Sequence, residues 1–145
     1  MNRILVALDG SAREKGVLAA SVGLARKLKA KLVLFRAIGM PHDLPAEAYA
    51  IAPKDVEALL SDRATKAIEA LAKDIPKELI EKVYVHVGTP WDAICRAAKD
   101  ENVDAIVIGS HGYDTFDRIL GTTASKVVNH ADRTVIVMRA PSLLE

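Results

Sequence analysis

The chain has 145 residues, half of them hydrophobic and only 4% aromatic, so one domain can enclose a core filled mainly by aliphatic side chains. Its 20 basic and 19 acidic residues leave a formal charge of +1, which gives no electrostatic reason to expect a nucleic-acid partner. A single cysteine, Cys95, excludes an intrachain disulfide and fits a reducing cytoplasm, and no apolar run approaches the ~20 residues needed to cross a bilayer.

Ile4 to Leu8 is a short apolar run ended by Asp9-Gly10, which reads as a buried strand and a turn. It is too short for a signal-peptide core, and a cytoplasmic protein is expected. Ser11 with Glu14 three residues later predicts a capping box at a helix start. Val17, Leu18, Leu24, Ala25 and Leu28 continue that helix at helical spacing. Lys31 to Ile38 returns to strand. Gly39 to Pro53 carries three prolines and no clear period, and two readings stay open: a surface excursion, or a flap near a ligand.

Asp55 to Lys73 predicts a helix with Val56, Leu59, Leu60, Ile68 and Leu71 as its apolar stripe. Leu79 to Val87 is mainly alternating strand. Gly88 turns the chain, and Thr89-Pro90 supplies a cap residue and a first-turn proline for a helix ending near Asp100. Ala105 to Ile108 is the fourth strand, Thr122 to Ala131 the last helix, and Thr134 to Met138 the fifth strand. Strict alternation predicts an α/β fold: one domain over residues 1–145, with a five-stranded parallel sheet, helices on both faces and right-handed crossovers, Rossmann-like in form.

Ligands of such sheets sit beyond the carboxyl ends of the strands, where the strand order reverses. Two strand ends carry unusual punctuation. One is Leu8-Asp9-Gly10-Ser11. The other is Ile108-Gly109-Ser110-His111-Gly112, followed after eight residues by Gly121-Thr122-Thr123. Gly109 and Gly112 can take positive φ, and successive N–H groups there can form an anion-binding concavity. The helix start at Gly121 offers unpaired N–H groups, a positive dipole end and the hydroxyls of Thr122, Thr123 and Ser125, all suited to phosphate. Asp9 can accept from a ribose hydroxyl or simply cap its turn. Spacing alone leaves phosphate binding and ordinary turn chemistry both open.

These stretches, with Gly88-Thr89-Pro90 and the run Val127-Val128, His130-Ala131 and Thr134-Val135-Ile136-Val137, resemble the universal stress protein (UspA-like) family over essentially the whole chain. Its ATP-binding members carry Gly-x2-Gly-x9-Gly-Ser/Thr. The resemblance implies an adenine-nucleotide site of this ATP-binding type. Ile108, Gly109 and Gly112 would lie by ribose or phosphate, and Gly121, Thr122, Thr123 and Ala124 by the phosphates. Asp9 would lie near the adenosine, and Ala7 and Ala37 would line the adenine pocket. Ala124 offers at most a backbone contact. One departure is clear: eight residues, Tyr113 to Leu120, separate Gly112 from Gly121 where the pattern has nine. Asp114 and Asp117 in that segment can repel a triphosphate or help hold magnesium, and Arg118 is its sole basic residue.

The function so implied is a stress-response protein binding ATP, or another adenine nucleotide, with magnesium, and hydrolysing it slowly at most. The alternatives are a non-nucleotide interaction module and a weak nucleotide hydrolase. The four histidines form no close ligand set, and neither a Walker lysine nor a nucleophile elbow is present. His111 is either a phosphate donor or solvated. Cys95 reads as a small buried hydrophobe, and Trp91 as a core residue. The apolar, proline-free strand Thr134 to Met138 invites pairing with another chain if it ends the sheet, and the resemblance implies a homodimer through it. The other possibility is an edge covered by Ala140 to Glu145.

Overall fold

Strands that are apolar on both faces must be covered on both, and this chain achieves that with one parallel sheet. The computed structural model describes residues 1–39, 53–110 and 120–139. The elements in chain order are β1 (Arg3–Ala7), α1 (Glu14–Leu28), β2 (Lys31–Ile38) and α2 (Pro53–Ala72). A short 3-10 turn (Lys77–Leu79) precedes β3 (Ile80–Val87), α3 (Pro90–Asp100), β4 (Ala105–Gly109), α4 (Thr122–His130) and β5 (Thr134–Met138). All neighbouring strands are parallel, in the order β3-β2-β1-β4-β5. The chain builds outward from β1 to β3, then returns to the other side of β1 for β4 and β5. The order therefore reverses between β1 and β4.

The alternation of side chains sorts the core into two layers. Ile4, Val6, Leu8, Leu32, Leu34 and Val107 face Val17, Leu18 and Ala25 of α1 and Ile68 of α2. Leu5, Ala7, Val33, Phe35, Ile106 and Ile108 face α3 and α4. Ala93, Ala97 and Ala98 give α3 a smooth buried stripe, and Ala124 and Val127 do the same for α4. Strands β3 and β5 form the two edges. That position explains why β3 is only half-buried and carries the exposed Glu81, Lys82 and His86, whereas the centres of β1, β2 and β4 are fully buried.

Several local expectations need correction. The capping box at Ser11 does not form, and α1 starts at Glu14 after Arg13, with no side-chain cap. Its partners are taken elsewhere: Ser11 N–H donates to Asp9 Oδ1 at 2.9 Å, and Glu14 Oε2 accepts from Gly10 N–H at 2.8 Å. Leu28 is exposed because it is the last residue of α1, before the chain turns at Lys29. Leu59 is exposed because the covered stripe of α2 follows the i, i+4 row Val56, Leu60, Ala64 and Ile68, with Leu59 on its flank. Thr89 does precede α3 and Pro90 opens it, but the threonine side chain makes no capping bond. The flap reading of the stretch after Gly39 falls on residues 40–52, outside the described residues. No helix among the described residues is long and apolar enough to cross a membrane.

Candidate functional site

A cavity of about 480 Å³ opens at the reversal between β1 and β4. Its floor is the end of the sheet: Ala7, Leu8 and Asp9 after β1, Ala37 near the end of β2, and Ile108, Gly109 and Ser110 at the end of β4. The starts of three helices form its walls. Pro90 and Ile94 come from α3, and Glu14 and Val17 from α1 with Arg13 just before it. Gly121, Thr122, Thr123 and Ala124 come from the start of α4. Nine of the ten residues singled out from the sequence thus share one cavity, and the tenth, Gly112, lies outside the described residues, as do His111, Asp114, Asp117 and Arg118.

The register explains why these residues meet. Ala7 pairs with Phe35 on one side and with Ile108 on the other. The ends of β1 and β4 are therefore level, with Ala37 two residues beyond Phe35 on the same face. Two backbone bonds bring α4 to the site: Ser110 N–H donates to the Met138 carbonyl at 2.9 Å, and Gly121 N–H donates to the Ser110 carbonyl at 2.7 Å. The second bond closes the connection between β4 and α4 at its base. Where α4 begins is thus fixed by Ser110.

Of Gly109 and Gly112, both expected to be able to take positive φ, only Gly109 lies among the described residues. Gly109 is an ordinary strand residue paired with Met138, and it does not take positive φ. It lines the cavity at the end of β4. Gly121 has φ −58° and ψ 156°, which any residue adopts. Among the described glycines only Gly10 is left-handed, at φ 79°, where the chain leaves Asp9. That backbone favours glycine.

The cavity has two chemically distinct ends. At α4, Gly121 is the cap without a capping side chain, and the first turn holds no acid. The other three helices carry Glu14, Asp55 and Asp92 in their first turns. The orphan N–H groups of Thr122, Thr123 and Ala124 and the dipole make this end favourable to anions. Ala124 itself is buried and packs in the core. The opposite end holds the carboxylates of Asp9 and Glu14 with the guanidinium of Arg13 between them in sequence. The apolar lining is supplied by Ala7, Ala37 and Ile108 of the floor and Ile94 of the α3 wall.

Arg13, Glu14, Pro90 and Ile94 were not anticipated as cavity residues. Their signal was periodic: positions 14 and 17, like 90 and 94, share a helix face. Among the described residues no cluster of histidine, cysteine, aspartate or glutamate could hold a metal ion. Cys95 is partly buried against the α3/α4 layer, and burial, then Asp92 and Asp132, push its thiol pKa up. Trp91 packs against the same layer, with its ring 4.4 Å from that of His130.

The model of the universal stress protein family matches residues 1–139. Universal stress protein MJ0577 of Methanocaldococcus jannaschii is 30% identical over 92 residues, 59% of this chain and 57% of that protein, so the match spans somewhat over half of that relative's length. Universal stress protein A homolog 2 of Coxiella burnetii is 29% identical over 116 residues, 80% of this chain and 79% of its own. The solved structure of hypothetical protein MJ0577 superposes with a TM-score of 0.79 over 97% of both chains, at 21% identity. A universal stress protein solved in complex with cAMP superposes with a TM-score of 0.58 over 95% of this chain and 96% of that one, at 24% identity. At those identities both structures speak to the fold. With a family match that runs from residue 1 to residue 139 of 145 and a sheet of the same architecture, the chain belongs to the universal stress protein family.

Proposed function

We propose that this universal stress protein is a single domain over residues 1–145 that binds an adenine nucleotide, ATP with magnesium, in the cavity between β1 and β4, and that it works in the cytoplasm as a homodimer joined through β5. The observation that carries the reading is the uncapped, acid-free start of α4 in a cavity with apolar lining and, away from α4, the carboxylate of Asp9. That polarity suits a ligand with phosphates at one end, a flat apolar ring system in the middle and hydroxyl donors to spare. The phosphates meet the N–H groups and hydroxyls of Thr122 and Thr123. The base lies against Ala7, Ala37 and Ile108, and Asp9 accepts from the ribose.

The one-residue-short spacing before Gly121 is compatible with this reading. The bond from Gly121 N–H to the Ser110 carbonyl anchors α4 whatever path the intervening residues take. Magnesium prefers phosphate oxygens, water and only one or two carboxylates. It enters bound to the nucleotide. The binding groups are backbone amides, a helix end and hydroxyls, and none is an activated base, so the reading is of a nucleotide binder rather than a rapid hydrolase.

Calorimetric titration with ATP and magnesium tests the reading. Saturable binding of one nucleotide per chain is expected. No heat of binding at about millimolar ATP, a free energy near −4 kcal/mol, overturns it.

A further inference from the structure

The turn between β1 and α1 is held mainly by side chains. Glu14 Oε2 accepts two hydrogen bonds, from Gly10 N–H at 2.8 Å and from Arg36 Nη2 at 2.6 Å. Ser11 N–H is held by Asp9 Oδ1 at 2.9 Å, and Arg13 N–H by Ser11 Oγ at 3.3 Å. Glu14 and Asp9 line the cavity; Arg36, on β2, stands behind Glu14. The side chains of Glu14 and Arg36 are each only 13% exposed, so the pair is shielded from solvent.

Such a pair is an unpromising source of stability. Desolvating two charges consumes most of their attraction, and Arg36 Nε is a buried donor with no partner among the described residues. What the pair does specify is geometry. The guanidinium restrains the carboxylate, and in the orientation it holds Glu14 Oε2 reaches the N–H of the one left-handed glycine among the described residues. Gly10 directly follows Asp9. The chain of contacts runs from Arg36 to Glu14, to Gly10, and so to the backbone that aims Asp9 at the cavity.

We infer that Arg36 is a positioning residue of the ligand site: through Glu14 and Gly10 it fixes Asp9 to receive the ligand's hydrogen-bond donors. The ligand half of the inference rests on the nucleotide reading above. The tether half does not, and two measurements separate them.

The first uses the free protein. Hydrogen exchange of the Gly10 amide should be slow in the parent and accelerate by about tenfold in Arg36→Gln, with part of the protection restored in Arg36→Lys and the amides of β4 unchanged. Unchanged Gly10 protection in Arg36→Gln overturns the inference whatever the protein binds, and a uniform acceleration across the sheet does so as well, since it marks a merely structural residue.

The second is a double-mutant cycle read by calorimetry with ATP and magnesium. Arg36→Gln should weaken binding about tenfold in the parent but less than about twofold when Asp9 is already Ala, because the two then act as one unit. Equal losses in both backgrounds overturn the positioning role. If the parent binds no ATP, the nucleotide reading and the ligand half of the inference fall together, while the exchange result still decides the tether.

Discussion

At the scale of single residues, the most informative position is Gly121, because its backbone asks nothing of glycine. At φ −58° it can carry any side chain, and it is the cap of α4. Aspartate is among the best residues for a helix cap. Gly121→Asp should therefore hold or raise stability by a few tenths of a kcal/mol, as the new carboxylate caps the N–H groups of the first turn. The same carboxylate occupies and repels the phosphate position, so ATP affinity should fall by about a hundredfold or more in titration calorimetry. Binding equal to the parent's removes the site from α4. Away from the cavity, Glu101 links three segments: it accepts from Lys82 at 2.6 Å and from Arg3 at 3.2 Å, and its own carbonyl accepts from Arg3. The hydrogen bond from Lys82, with the charges of Lys82 and Arg3, holds its carboxyl below the ordinary glutamate range. A depressed native pKa stabilises the fold above the unfolded value of about 4.3, and that contribution fades as pH falls through the native value. The gap in thermal midpoint between parent and Glu101→Gln should be open at pH 7 and close toward pH 3. A gap that stays constant with pH refutes the assignment. Tyr84 is tied to this group: burial first, then Glu101 and Asp100, push its phenol up to about 12, and Lys82 sits 4.5 Å above its ring.

At the scale of elements, the helix ends show how the chain closes its turns. Lys29 stands at φ 55°, and its N–H together with that of Ala30 satisfies the last carbonyls of α1. A side chain in this left-handed position is strained, and glycine is the usual occupant. Lys29→Gly should stabilise by about 0.5–1 kcal/mol, visible as a higher denaturation midpoint with an unchanged slope. At the end of α3 the work falls to Arg133, which reaches from the start of β5 to donate from Nη1 to the carbonyls of Ala98 and Val103, both at 2.9 Å. Arg133→Ala leaves those carbonyls without that donor and should cost about 1–3 kcal/mol in chemical denaturation. A loss under about 0.3 kcal/mol shows that water replaces it. Element by element, legibility followed locality. Strand β2 could be read to the residue, because the apolar run Leu32 to Phe35 marks a buried centre and the helix before it and Gly39 after it leave little room for other ends. The start of α1 could not. The Ser11 and Glu14 pattern is local, but Glu14 is claimed by Arg36, 22 residues away, and no helix rule anticipates that competitor. The same limit applied at the cavity. Strand-end residues such as Asp9 and Ile108 were legible from topology, whereas Arg13, Glu14, Pro90 and Ile94 depend on how the helices lie over the sheet. A glycine's presence was visible, but not its reason: Gly10 needs positive φ, and Gly109 does not.

At the scale of the whole molecule, the sheet has two edges that differ in character. Strand β3 carries Glu81, Lys82 and His86 as exposed residues, which discourage pairing with another strand. Strand β5 is Thr134-Val135-Ile136-Val137-Met138, with its last four residues half-buried and no charge among them. The tail Ala140 to Glu145, the other possible cover of this edge, lies outside the described residues, and the outer side of β5 can be assigned by alternation. The Met138 carbonyl accepts from Ser110 on the β4 side, so the backbone groups of Ile136 and Thr134 point inward with it, and those of Val135 and Val137 point outward. The proposed homodimer would use those outward groups to continue the ladder into a second copy. Light scattering at micromolar concentration should then give twice the chain mass of 15.6 kDa. Val135→Pro sharpens the test. Proline there removes an outward N–H that takes no part in the described sheet, and edge strands tolerate it. The variant should keep its far-ultraviolet circular dichroism and run as a monomer. Its ATP affinity should stay within about twofold of the parent's, because the cavity lies at the opposite flank of β4. A dimeric Val135→Pro moves the interface off β5. A monomeric variant that has also lost ATP binding ties the site to assembly, and the nucleotide would then report on the dimer as well as on the fold.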